Sequence, residues 1–154
     1  MQRTVVFLKP DAVQRRLVGD LIGLLEQKGL RLVGLKMMMA TDELLDEHYA
    51  HHKEKPFFAS LKKFMMSAPI VCMLWEGVDA VNVVREMMGA TNGREAAAGT
   101  IRGQFSNSQS ANLIHSSDGE EAAKVEEKRF FKDDEIFEYK DPLADFLYSD
   151  DELK

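Results

Sequence analysis

The chain has 154 residues, a formal charge of −6 and a single cysteine, Cys72. That length suits one domain spanning 1–154 and lets roughly 70% of the unfolded chain's surface be buried, so no covalent staple is required. One cysteine excludes an internal disulfide and a thiolate zinc site and points to a reducing, cytoplasmic setting, while the acidic balance argues against a surface built for specific nucleic acid.

In the N-terminal stretch MQRTVVFLKP, the β-branched run Thr4–Leu8 closed by Lys-Pro predicts a buried strand. The run is too short for a signal peptide or a membrane span. Val18, Leu21, Ile22 and Leu25 then repeat at helical spacing, and Gly29 is placed to end that helix. Leu30–Met39 reads as a second strand. Thr41-Asp42 caps a helix running to Tyr49, and Pro56 opens a further segment whose stripe is Phe57, Phe58, Leu61, Phe64 and Met65. His48, His51 and His52 surround Tyr49. Without an H-E-x-x-H spacing they read as a solvated helix end rather than a metal cluster. PIVCMLW (Pro69–Trp75) lacks alternation, which predicts a strand covered on both faces with Cys72 as a buried hydrophobe. Asp79 starts a helix with Ala80, Val83, Val84, Met87 and Met88 inward, and Gly89 ends it.

From Ala90 to Ala111 the pattern stops, and a loop of that length inside a compact domain is usually functional or disordered. Leu113–His115 is a very short strand. Ser117 with Glu120 three residues on forms an S-x-x-E capping box for a last helix, with Ala122, Val125 and Phe130 inward and Glu126 among the charges of its solvent face. The acidic end, SDDELK (149–154), is expected to fray. This alternation predicts an α/β (α+β) fold of the split βαβ kind: a ferredoxin-like, four-stranded antiparallel sheet with helices packed on one face. No G-x-G-x-x-G or G-x-x-x-x-G-K-[ST] is present, so a standard phosphate loop is excluded.

His115 stands just before a helix N-terminus. The unpaired N–H groups and dipole there disfavour imidazolium and attract an anion, and a neutral imidazole is a nucleophile. The stretch alone leaves two readings open, a reactive histidine and a packed, hydrogen-bonded one. Lys9 follows the first strand, Arg102 lies in the long loop, Arg85 lies on the outer side of its helix, and Thr91 follows just past that helix's end. Converging on His115, they would clamp a polyphosphate, which spacing alone does not establish. Tyr49 and Phe57 are candidates for an aromatic wall, with a base stacked on Phe57; the alternative is that Phe57 is core.

Taken together, FLKPDAVQR, EHYA, KPFF, MLWEG, MGATN, GTIRG and NLIHSSD, in that order, resemble the nucleoside diphosphate kinases over about residues 3–148. The resemblance implies that His115 takes the terminal phosphate of a nucleoside triphosphate (ATP, GTP or others) on Nδ1 and passes it to a diphosphate. It implies that Glu126 orients the ring through its other nitrogen, overturning the solvent-face reading. Lys9 would contact the transferred phosphate and the sugar 3′-hydroxyl, with Tyr49 beside it. Arg85 and Thr91 would bind the β-phosphate, Arg102 would bridge the outer phosphates, Asn112 would bind the sugar hydroxyl and Phe57 would stack on the base. Mg2+ would ride on the phosphates with no direct protein ligand, and the chains would form a homo-oligomer, a hexamer in preference to a tetramer.

Three departures stand out against the family. Ser116 replaces a common glycine, Ala98 a common proline, and Gln109 a valine that covers the other face of the base, which leaves stacking one-sided. The alternative function is a non-catalytic nucleotide-binding or scaffold member. Loss of transfer should show as a replaced His115, Lys9 or Arg102, and all three are present. A nucleic-acid binder on this fold would want a basic face.

Overall fold

The apolar run after Gln2 makes β1 (Gln2–Leu8), whose last five residues are all buried in this computed structural model, which describes residues 1–153. Burial on both sides is possible because β1 is an inner strand. The sheet order is β2-β3-β1-β4, with β2 at Arg31–Met38, β3 at Ile70–Gly77 and β4 at Ile114–Ser116, and every pairing is antiparallel. β3 is buried along its whole length, as its unalternating sequence requires. The helices are α1 (Pro10–Gln14), α2 (Val18–Gln27), α3 (Asp42–His48), α4 (Phe58–Met65), α5 (Ala80–Met88), α6 (Ile101–Phe105), α7 (Glu120–Phe130) and α8 (Ala144–Leu147). Among the described residues no helix is long and apolar enough to cross a membrane.

The ferredoxin-like antiparallel sheet is present, but its helices do not lie on one face as expected. Period-two geometry sends alternate residues of an inner strand to opposite sides. Val6, Leu8, Met73 and Trp75 pack with Leu21 and Leu25 of α2 and Val84 and Met88 of α5 on one side. Val5, Phe7, Cys72 and Leu74 pack with Leu45 of α3, Met65 of α4 and Phe130 of α7 on the other. Since β1 and β3 are apolar at successive positions, one helical layer would have left half of each strand's side chains in water.

Three local readings are corrected. The stretch from Ala90 to Ala111 is not structureless: Thr100 accepts the amide of Gly103 and caps α6. In α5 the buried residues include Val81, whereas Val83 and Met87 are only half-buried. The capping box at Ser117 does not form. α7 begins after Gly119 with no side-chain cap, and its buried residues are Ala123, Glu126 and Phe130, leaving Val125 53% exposed. The helix therefore starts later than the motif suggests, and an acidic residue takes an inward position. At the C-terminal end, Ser149 and Glu152 hydrogen-bond to each other, while Lys154 of the tail lies outside the described residues.

α6 carries Arg102, and its placement depends on Gly103. A methyl group there would lie 2.0 Å from the carbonyl oxygen of Ala97, a backbone atom that cannot rotate away. Gly103→Ala should therefore cost about 1–3 kcal/mol of stability. Denaturant unfolding checks this, and an unchanged midpoint would contradict the packing described.

Candidate active site

β1 ends at Leu8, and the next residues build one wall of a cleft. The backbone N–H of Lys9 donates to the carbonyl of Leu113 at 2.8 Å, and the N–H of Leu113 donates to Oδ2 of Asp11 at 3.1 Å. Leu113 is held between them with φ at +73°, a conformation disfavoured for a leucine, just before β4. Asp11 is buried there, which raises its carboxyl above the usual range against the pull of the Leu113 amide and Lys9. The Lys-Pro-Asp turn and the β4 approach are thus fixed to one another, and His115 projects from β4.

His115 pairs across the sheet with Phe7, and the two rings stack with centroids 4.4 Å apart. Nε2 of His115 meets both carboxylate oxygens of Glu126, at 3.2 and 3.1 Å. Glu126 Oε2 also accepts the Ser117 hydroxyl at 2.8 Å. A carboxylate held this way favours the proton on Nε2. Among the described residues Nδ1 has no hydrogen-bond partner, so it is the nitrogen left with a lone pair on a ring that lines the cleft. Ser117, read from sequence as a helix cap, serves instead as a donor to the orienting carboxylate.

The cleft has a volume of about 1050 Å³. Around His115 it is lined by Lys9, Tyr49, Arg85, Thr91, Arg102 and Asn112, and further out by Phe57 and Gln109. Every candidate named from the sequence lines it except Glu126, which lies behind the histidine. Lys9 Nζ donates to Asn112 Oδ1 at 2.6 Å, and Asn112 Nδ2 donates to the carbonyls of Thr91 and Gln109 at 2.8 Å each. Arg102 donates to three carbonyls, those of Asn112, Gly89 and Ile114, which leaves two of its five N–H groups for a ligand. Arg85 is paired with Asp118 at 2.5 Å across the mouth. Phe57 is not core: it is 47% exposed, with the ring of His52 edge-on at 5.2 Å.

The charge in the cleft is predominantly positive, with Lys9, Arg85 and Arg102 lining it against the single carboxylate of Asp118 among the described residues. Burial, then the nearby Arg102 charge, pushes the Lys9 ammonium down to about 8. Burial, then Arg85, pushes Arg102 down to about 10, which leaves it charged at neutral pH. Buried cations lowered both by burial and by a neighbouring cation mark a site made for an anion. Tyr49 is shifted the other way: burial, then the Glu126 charge, raises its phenol well above the ordinary value, so it remains a donor. A nucleophilic nitrogen, an orienting carboxylate and cationic donors in one cleft suit phosphoryl transfer, which needs positioning and charge neutralisation. Among the described residues Asp118 is the one carboxylate lining the cleft, and it is exposed and already paired with Arg85, so a divalent cation would be held by the phosphates.

Sequence reasoning missed Asp11, Ser117 and, above all, His48. That histidine is buried rather than solvated: it meets the rings of Phe7, His115 and Phe130 edge-on. Burial, then the charges of His115 and Arg129, pushes it down to about 2, so it is neutral. His51 is exposed, as expected for that helix end. The helical periodicity of α3 carried the signal, because His48 follows the buried Leu45 by one turn.

Comparison with known proteins gives a consistent picture. Residues 2–136 match the family model described as nucleoside diphosphate kinase. A nucleoside diphosphate kinase of Parabacteroides distasonis is 55% identical over 153 residues, covering 99% of this chain and 100% of that protein. One from Rhodopirellula baltica is 51% identical over 152 residues, covering 99% and 100%. Among solved structures, a halophilic nucleoside diphosphate kinase from Halobacterium salinarum in complex with CDP superposes with a TM-score of 0.94 at 47% identity, covering 96% of this chain and 99% of that one.

The depressed Lys9 gives a pH prediction. In the empty site the ammonium loses its proton as pH rises through about 8, so the attraction for a polyanion is present below that value and lost above it. Titration with tripolyphosphate from pH 7 to 9.5 should show affinity falling relative to a Lys9→Met variant. Parallel profiles for the two proteins would contradict the assignment.

Proposed function

The chain belongs to the nucleoside diphosphate kinase family, and we propose that His115 carries the terminal phosphate of a nucleoside triphosphate to a nucleoside diphosphate as a phosphohistidine. The observation that supports this most directly is the pairing of Nε2 with Glu126, which leaves Nδ1 as the free nucleophile. In the first half-reaction the Nδ1 lone pair attacks the terminal phosphorus in line. The bond to the bridging oxygen breaks, and the diphosphate leaves with that electron pair. The ring gains positive charge, which Glu126 offsets through the Nε2 proton. In the second half a terminal phosphate oxygen of another diphosphate attacks the phosphorus, and the nitrogen–phosphorus bond breaks. One site serves both halves, which is ping-pong kinetics.

The residue roles follow from what each group has left to offer. Lys9 retains two N–H donors beyond its bond to Asn112 and meets the transferred phosphate and the 3′-hydroxyl. Both amide N–H groups of Asn112 are taken, so it receives the sugar hydroxyl on the remaining lone pair of Oδ1. Arg102 bridges the outer phosphates with its two free N–H groups. Arg85 exchanges Asp118 for the β-phosphate, with Thr91 beside it, and Tyr49 donates near the transferred group. Mg2+, carried by the nucleotide with no direct protein ligand, would supply charge neutralisation. Phe57 stacks on the base from one side, which suits a generalist because every base has a π-face. Gln109 lines the same cleft and offers no π-face, so stacking stays one-sided.

We read the chain as one cytoplasmic domain in a homo-oligomer, a hexamer in preference to a tetramer. Leu35 and Met37 on the edge strand β2 are 51% and 60% exposed, and Phe146 of α8 is 87% exposed. Edge strands with apolar side chains invite pairing. Light scattering should give a mass above that of a dimer, and a monomer at micromolar concentration would contradict this.

Incubation with γ-labelled ATP followed by removal of nucleotide tests the kinase reading. Label should be retained, labile in acid and stable in alkali, as a phosphoramidate is. His115→Ala should abolish it, and Glu126→Ala should slow it by about ten- to a hundredfold without abolishing it. An acid-stable phosphate would point to a serine ester, and no label with His115 intact would favour a non-catalytic nucleotide-binding member.

A further inference from the structure

Glu126 and Arg129 lie three residues apart on α7, a spacing at which opposite charges normally pair. Among the described residues they do not. Arg129 Nε donates to Glu47 Oε1 at 2.8 Å, and its Nη1 lies 3.5 Å from His48 Nδ1. The same Nδ1 lies 3.9 Å from Glu126 Oε1. The buried imidazole of His48 therefore stands between a guanidinium and the carboxylate it would otherwise bind.

We propose that His48 is a positioning residue that intercepts Arg129 and so keeps Glu126 on Nε2 of His115. The proposal rests on the kinase reading above and deepens it. Because Arg129 occupies Nδ1 as a donor, the ring proton of His48 lies on Nε2 and Nδ1 has none to offer Glu126. Among the described residues the carboxylate then has only His115 and Ser117 as hydrogen-bond partners. An Arg–carboxylate pair is a strong, directional contact. Were it formed here, it would draw Glu126 away from the imidazole and release the preference for the Nε2–H tautomer that leaves Nδ1 nucleophilic. Three faces of the His48 ring's surroundings hold it in this post: Phe7 of β1, Phe130 of α7 and the neighbouring Tyr49 ring at 4.6 Å.

Removal of the competitor separates this role from simple packing. His48→Ala should slow phosphorylation by about tenfold, as loss of an outer partner does, with the KM for ATP little changed. Nitrogen NMR of labelled histidine, recorded without nucleotide, should show His115 moving from the Nε2–H tautomer to a mixture. The double variant His48→Ala/Arg129→Met should regain both the tautomer and most of the rate despite the same cavity. A double variant as slow as His48→Ala would overturn the proposal. His48→Gln keeps an acceptor for Arg129 and covers the case in which His48→Ala does not fold: it should hold the wild-type tautomer, and a mixture there would also overturn the proposal. Failure of the wild-type protein to label would count against the kinase reading instead, while the tautomer measurement still decides the role of His48.

Discussion

The site depends on one contact, the pairing of Glu126 with Nε2 of His115. An imidazole has two equivalent uses for its nitrogens until something distinguishes them. Here a carboxylate on α7 claims one nitrogen from behind, and the cleft receives the other. Much of the surrounding structure serves that pairing. Phe7 stacks on the ring from the neighbouring strand, Ser117 steadies the carboxylate, and His48 fills the remaining side. Burial, with the negative charge of Glu126 adding to it, raises the Tyr49 phenol, which links the orienting group to a donor on the cleft wall.

The sheet explains how these residues meet. β1 is an inner strand, so Phe7 has β3 on one edge and β4 on the other, and His115 is its cross-strand neighbour. The residues that follow β1 turn directly into the cleft, where Lys9 and Asp11 grip the strained approach to β4. Helices on both faces then have distinct tasks. α5 and α6 bring Arg85 and Arg102 to the cleft, while α3, with Tyr49 just past its end, and α7 bring His48 and Glu126 to the ring of His115. The electrostatic result is a cleft that holds two buried cations, Lys9 and Arg102, whose burial an anionic ligand would offset.

Much of this was legible in the sequence, for reasons that differ by element. β3 declared its two-sided burial through PIVCMLW, and the site residues came from motifs with a family resemblance. Periodicity failed where a polar residue occupies an inward position. Glu126 looked like one charge among many because hydropathy reads Val125 as the buried neighbour, and the helix cap lies two residues beyond Ser117. His48 was lost the same way: three histidines in a polar stretch look solvated, and only the fold shows that one of them faces Phe7. α6 was hidden because five residues are too few for a period, although Thr100 and Gly103 carried its cap.

The claim on which this account stands is that the phosphate is carried by Nδ1. Phosphorus NMR of the phosphoenzyme, prepared with nitrogen-labelled histidine, measures this directly through the one-bond coupling between phosphorus and the ring nitrogen that bears it. The account predicts coupling to Nδ1 of His115, with Nε2 still protonated beside Glu126. Coupling to Nε2 would mean that the carboxylate does not hold that nitrogen during transfer, and the orientation described here would be wrong.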